Sequence, residues 1–179
     1  MNLTETRISG ECIFTGNVFA VELDKILLPD GTESEREVVR HPGGVAVLAI
    51  DRDDVILVRQ YRYATGMELL EIPAGRLEIG EEPASAALRE LAEETGYTTG
   101  SIQPLGKMIA TGGYNSEIIH LFAAIGLMQG TPDPDPGEFV YPVRLKFNDL
   151  INMILSGEIQ DGKTIAAALK FFVMSTKNI

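Results

Sequence analysis

The chain has 179 residues, of which 45% are hydrophobic and 23% charged, the usage of a globular rather than a disordered protein. Fifteen Lys and Arg against 26 Asp and Glu give a net charge of −11, which opposes nucleic-acid backbones and anionic membranes as general partners. One cysteine, Cys12, excludes an intramolecular disulfide. The longest apolar runs, Val45–Ile50 and Leu121–Met128, are far too short for a bilayer. Met1–Gly10 lacks the apolar centre of a signal peptide. The expectation is a soluble, cytoplasmic protein of one domain, or of one domain with a small appendage.

The first forty residues read as extended. Ile13–Phe14, Val18–Leu23 and Ile26–Leu28 are β-formers, Pro29-Asp30-Gly31 is a turn, and Glu33–His41 alternates until Pro42-Gly43-Gly44 breaks it. These strands carry few bulky apolar residues and form a marginal sheet unless they pack on the main body or on another copy. Residues 1–43 are therefore expected to be an N-terminal antiparallel β segment, and residues 44–179 the main domain.

From Gly44 the pattern sharpens. Val45–Ile50 and Val55–Arg59 are strands around the polar turn Asp51–Asp54, and Met67–Ile72 runs into Pro73-Ala74-Gly75. A helix is predicted over Pro83–Thr95, with proline in its first turn, Gly96 after its end, and a stripe of Ala84, Ala87, Leu88, Leu91 and Thr95. Strands follow at Ile102–Met108, Glu117–Ile125 and Phe139–Leu145, with a turn at Thr111–Ser116 and a Pro/Asp loop at Gly130–Gly137. Helices over Asn148–Ser156 and Lys163–Ser175 close the chain, with Asp161 as a cap. Strands flanked by helices argue an α/β or α+β fold.

Glu90, Glu93 and Glu94 stand at i, i+3 and i+4, so three carboxylates share one side of the central helix. They also occupy its last two turns, where the helix dipole disfavours negative charge. An isolated pattern of this kind is most often a solvated face. Here the cost calls for compensation. Arg89 neutralises one acid but not three, whereas a hard divalent cation, Mg²⁺ or Mn²⁺, takes carboxylate oxygens and shares its remaining sphere with phosphate and water.

Gly75, Glu81, Arg89, Glu90, Leu91, Glu93, Glu94, Gly96 and Tyr97 fill every fixed position of G-x5-E-x7-R-E-U-x-E-E-x-G-U, with U a bulky apolar residue. A chance match is on the order of one in a billion per starting position at average residue usage. This stretch resembles the box of the Nudix hydrolases. The resemblance implies an α/β/α sandwich around a mixed sheet, and Mg²⁺-dependent cleavage of a nucleoside diphosphate linked to another group. It implies that Glu90, Glu93, Glu94 and the Ala74 carbonyl hold the metal. Arg89 would orient the carboxylates, as Glu81 would also do unless it touches metal through water.

The flanks narrow this further. Val58-Arg59-Gln60-Tyr61-Arg62, Glu68–Gly75 and Gly157–Thr164 are similar to the corresponding stretches of ADP-ribose pyrophosphatases. That resemblance implies a homodimer formed through exchanged N-terminal strands, with composite active sites. Arg59 and Arg62 offer bidentate donors to phosphate, Arg62 being the better match to the family's substrate arginine. Glu71 is a candidate acceptor for an adenine amine or ribose hydroxyl, or else an ion-pair partner of an arginine. Tyr61 and Tyr63 are candidates to stack on a base or to pack.

Ala110–Glu117 lacks the proline usual in ADP-ribose enzymes, and Glu117–His120 resembles GDP-mannose-type hydrolases instead. His120 reads as a packed or surface histidine. For the general base, Glu138 comes first, with Asp135 and Glu117 as alternatives and Asp133 as a solvated acid. Glu117 also counts among the substrate contacts. The expected activity is hydrolysis of ADP-ribose to AMP and ribose 5-phosphate. The alternatives are another nucleotide sugar, or a Nudix-fold sensor that binds without cleaving.

Overall fold

The computed structural model describes residues 2–176, which cluster into two compact units, residues 2–43 with 109–118, and residues 44–108 with 119–176. In the first unit β1 (Thr6–Thr15), β2 (Ala20–Leu27) and β3 (Glu33–Arg40) form an antiparallel sheet in chain order. Every residue of β1 is exposed, and only Asp24 and Ile26 of β2 are buried. Asp24 is offset by Arg7 at 2.7 Å and Arg40 at 2.9 Å. Gly31 takes φ +86° in the turn after Pro29, a conformation glycine adopts without strain.

The segment 109–118 joins this unit through backbone groups. The Val39 N–H donates to the Tyr114 carbonyl at 2.8 Å, and the Ser116 N–H donates to the Val39 carbonyl at 2.9 Å. The sequence reading ended this unit at residue 43, because main-chain pairing of a turn with a distant strand leaves no side-chain pattern.

In the second unit the strands are β4 (Gly44–Asp51), β5 (Asp54–Arg62), β6 (Met67–Glu71), β7 (Ala74–Arg76), β8 (Tyr97–Thr98), β9 (Ser101–Ile109), β10 (Ile118–Ile125), β11 (Met128–Gln129) and β12 (Val140–Lys146). The helices are α1 (Pro83–Thr95), α2 (Phe147–Ser156) and α3 (Gly162–Thr176). The main sheet runs β12-β5-β4-β10-β9, with β6 paired to β5 and β7 to β4. It is mixed, because β10 pairs parallel to β4 while β5 and β7 pair antiparallel to it.

Strand β4 shows why the sheet lies between layers. Its residues are buried from Gly44 to Ile50, as expected of a strand covered on both faces. Ala46, Leu48 and Ile50 pack with Leu150, Ile151, Ala167 and Ala168 of α2 and α3. Val45, Val47 and Ala49 pack with Ala86, Ala87 and Leu91 of α1. Side chains alternate across a strand, so these two sets face opposite ways and the result is an α/β/α sandwich.

Helix α1 occupies the predicted span. Pro83 lies in its first turn, and Gly96 at φ +73° returns its N–H to the Ala92 carbonyl at 2.8 Å. The predicted stripe is shifted, since Ala84 is exposed and Ala86 is buried in its place. Asp161 caps α3, its Oδ2 accepting from the Thr164 N–H at 3.0 Å. Strands β7, β8 and β11 are too short to show a period of two and are not predicted from sequence. Among the described residues no helix is long and apolar enough to cross a membrane.

Candidate active site

The site is built where β7 meets α1. Pairing of Ala74 with Ala46, and a 2.8 Å hydrogen bond from the Val47 N–H to the Pro73 carbonyl, fix the Pro73-Ala74-Gly75 turn against β4. The Ala74 N–H donates to Glu94 Oε2 at 3.0 Å. Gly75 has no side chain for a physical reason, because a Cβ there would overlap the Glu90 carboxylate. Turn and helix are thus locked together through two of the box glutamates.

Those glutamates are not on a solvated face. Glu94 is 1% exposed and Glu90 is 8% exposed, on the side of α1 turned to the protein. Helical periodicity assigns them to the polar face, and the β7 turn lies against both of them. Burial pushes the Glu94 carboxyl up to about 8, with the charges of Glu138 and Glu90 adding to it against the Ala74 hydrogen bond. Burial also raises Glu90, partly countered by Arg89.

Arg89 organises the rest. Its Nε and Nη2 grip Glu81 at 3.0 Å each, its Nη1 donates to Glu90 Oε1 at 2.7 Å and to Glu93 Oε2 at 3.0 Å, and Nη2 reaches the Arg76 carbonyl at 3.2 Å. One planar guanidinium holds three carboxylates, a geometry that a lysine cannot reproduce.

Among the described residues, no three Asp, Glu, His or Cys side chains are gathered closely enough to hold an ion as they stand. Arg89 takes Glu90 and Glu93, and the turn takes one oxygen of Glu94. The donor set nonetheless fits a hard cation: carboxylate and carbonyl oxygens only, with a buried acid whose ionised form is poorly compensated. An ion there would compete with Arg89 for Glu90 and Glu93.

A second group lies at the end of β5. Arg62 donates through Nε and Nη2 to the two oxygens of Glu71 at 2.7 and 2.9 Å. Lys163 also pairs with Glu71, and with Asp161 at 2.9 Å. Glu71 is 1% exposed. Burial alone would push its carboxyl up, but the Arg62 hydrogen bonds and the Lys163 charge hold it below the usual carboxylate range. The charge of Glu94 also favours the protonated form of Arg62.

Arg59 is not part of that group. Pairing of β5 with β6 is regular through residues 58–62, and residues three apart on a strand project from opposite faces. Arg59 instead lies 3.9 Å from Glu68, with both side chains more than half exposed. The sequence reading set the two arginines together. Strand alternation separates them.

Gln60 shares its face of β5 with Arg62, and its Nε2 donates to Glu138 Oε1 at 3.2 Å. Glu138 is half-buried, whereas Asp133 and Asp135 are exposed. Their backbones tie the loop down: the Asp133 N–H donates to the Glu93 carbonyl and the Glu138 N–H to the Asp135 carbonyl, both at 2.9 Å. Glu117 belongs to the first unit, where it lies 3.6 Å from His41 Nδ1 and 3.4 Å from Asn115 Nδ2. His120 is half-buried, its pKa lowered by burial and by Lys107. Tyr61 and Tyr63 are exposed, not packed.

A NUDIX domain profile matches residues 40–168. The chain belongs to the Nudix family. It is similar to an ADP-ribose pyrophosphatase of Bacillus subtilis (strain 168), at 40% identity over 169 residues, 93% of this chain and 91% of the relative. A methanol dehydrogenase activator of Bacillus methanolicus is 42% identical over 166 residues, 91% of this chain and 90% of that one. A crystal structure titled as an ADP compounds hydrolase shares the fold, with a TM-score of 0.86 at 21% identity, over 99% of this chain and 98% of the other. In this Nudix domain the box runs from β7 through α1 to β8. Sequence reasoning passed over Lys163 and Gln60, although both lie in stretches whose resemblance was visible. Each meets its partner only through the fold, across 92 residues for Lys163–Glu71 and 78 for Gln60–Glu138.

Proposed function

We propose that this Nudix protein hydrolyses a nucleoside diphosphate sugar, ADP-ribose before others, to AMP and ribose 5-phosphate. The observation that carries the reading is the burial of Glu90 and Glu94 against the Ala74-Gly75 turn, an arrangement that costs the fold stability unless a cation uses it. The preference for ADP-ribose rests on the Bacillus subtilis relative and on the flanks around Arg62 and Glu71. Glu90, Glu93, Glu94 and the Ala74 carbonyl would hold a divalent ion, Mg²⁺ with Mn²⁺ as a substitute. When bound it supplies Lewis acidity and neutralises diphosphate charge.

The chain's own groups do the remaining work. Arg89 aligns Glu90 and Glu93. Arg62, with Nε and Nη2 committed to Glu71, keeps Nη1 for a phosphate oxygen. Glu138 accepts a proton from the attacking water as the new P–O bond forms and the anhydride P–O bond breaks, leaving both products as phosphate monoesters. Asp135 and Glu117 are the alternative acceptors.

The N-terminal sheet supports a homodimer. Ile8, Ile13, Phe14 and Phe19 are all more than 40% exposed, a face that another copy would cover. Light scattering tests this, and a monomer at micromolar concentration removes it. The acidic chain with its single cysteine supports a cytoplasmic setting.

The activity is tested by offering ADP-ribose, GDP-mannose, NADH and nucleoside triphosphates in parallel with Mg²⁺, with a phosphatase releasing phosphate from the monoester products. ADP-ribose is expected to turn over fastest. Full activity in Glu94→Gln would overturn the metal assignment, and tight ADP-ribose binding without products would make the protein a sensor.

A further inference from the structure

Gln60 sits on β5 between Val58 and Arg62 on the face that carries the site, and it is directly paired with Val140 of β12. Its amide is half used. Nε2 donates to Glu138 Oε1 at 3.2 Å, while Oε1 is buried and has no hydrogen-bond donor among the described residues. The amide cannot be turned round, because a carboxylate only accepts and would then face the amide oxygen. No other side chain among the described residues hydrogen-bonds the Glu138 carboxylate, which stands at the end of a loop with three prolines, Pro132, Pro134 and Pro136, and a glycine, Gly137, at φ +91°.

We infer that Gln60 is a positioning residue: its amide N–H, on the strand, holds the Glu138 carboxylate in place to take the proton of the attacking water. The inference rests on the reading of Glu138 as proton acceptor. It adds what that reading lacks, a reason why an acid on an otherwise exposed loop has a fixed place. The strand supplies the rigidity and the loop supplies the carboxylate, and a misplacement of about 1 Å is enough to cost about a hundredfold in rate.

The test is a cycle of Gln60→Met, which keeps the length but cannot donate, Glu138→Gln, and the pair together, each on the full chain with Mg²⁺ and ADP-ribose. Gln60→Met is expected to lower kcat about 10- to 100-fold with KM within about twofold. In the Glu138→Gln background the same change should cost less than about twofold. Gln60→Glu, which sets carboxylate against carboxylate, should be at least as damaging.

A readout free of turnover accompanies these. In metal-free protein, amide hydrogen exchange at Asp133 and Glu138 should speed up in Gln60→Met while β4 and β5 stay protected. An unchanged kcat in Gln60→Met, or a loss that multiplies fully with that of Glu138→Gln, overturns the inference. So does faster exchange throughout β4 and β5, which would mean a merely structural role. If Glu138→Gln itself keeps its kcat, the reading of Glu138 as base fails and takes the catalytic part of the inference with it. The exchange measurement then decides whether Gln60 holds the loop at all.

Discussion

Arg62 meets Glu71 through a two-bond fork, Nε to Oε1 at 2.7 Å and Nη2 to Oε2 at 2.9 Å, and Lys163 approaches the same carboxylate from the start of α3. Two cations therefore depend on one buried acid. Glu71→Gln leaves Lys163 short of its counter-charge and Arg62 without its fork. The expected loss is about 2–4 kcal/mol at pH 7, reduced from the roughly 3–5 kcal/mol of a fully broken buried pair because Arg62 is 38% exposed. The native Glu71 carboxyl is held below its unfolded value, so its contribution is present above the ordinary carboxylate range and fades as pH falls through the folded value. Urea denaturation of both proteins at pH 7 and pH 3 measures this. A difference under about 0.5 kcal/mol at pH 7 would show that the network carries little stability.

Glu94 predicts the opposite slope. The unfolded carboxyl ionises near its usual value, about 4.3, whereas the folded one stays protonated up to about 8. The metal-free protein should lose stability steadily as pH rises between these two values, by a total on the order of 3–5 kcal/mol. Thermal denaturation in chelator from pH 5 to 9 should show that decline, and Glu94→Gln should flatten it. Mg²⁺ should raise Tm more at pH 8.5 than at pH 6, since protons and the ion compete for the same oxygens.

Gly75→Ala tests the contact between turn and helix. The new methyl group meets the Glu90 carboxylate and displaces it from the Ala74-Gly75 turn. A drop in kcat of about 10²-fold is expected, with a higher Mg²⁺ concentration needed for half-activation. A variant as active as the parent would mean that Glu90 can move without consequence.

Arg89→Lys keeps the charge and loses the fork. A single ammonium cannot replace four hydrogen bonds to Glu81, Glu90 and Glu93. The expected result is a loss of about 1–2 kcal/mol together with at least a tenfold fall in kcat. Steady-state kinetics and denaturation on the same preparation separate the two effects.

Local chemistry made much of this protein legible before any fold was known. Pro83 and Gly96 bound α1 because proline suits a first helical turn and glycine suits a left-handed C-terminal position, and the observed helix has those limits. The Nudix box was readable for the same reason, since its nine residues act within one turn and one helix and their spacing is written along the chain. The α/β/α layering was implied by the same resemblance, and the continuous apolar run of β4 agrees with a strand covered on both faces.

What the tertiary structure decided is which polar groups leave water and which of them meet. Glu90 and Glu94 look like a solvated face in periodicity and are buried because β7, an element of three residues, folds over them. Lys163 reaches Glu71 across 92 residues and Gln60 reaches Glu138 across 78, and residues 109–118 join the N-terminal unit through backbone pairing with Val39 and contacts of Ser116 and Glu117 with His41. The physical reason is common to all three. Propensity and spacing act over a few residues, whereas desolvation and ion pairing depend on neighbours that only the completed fold supplies.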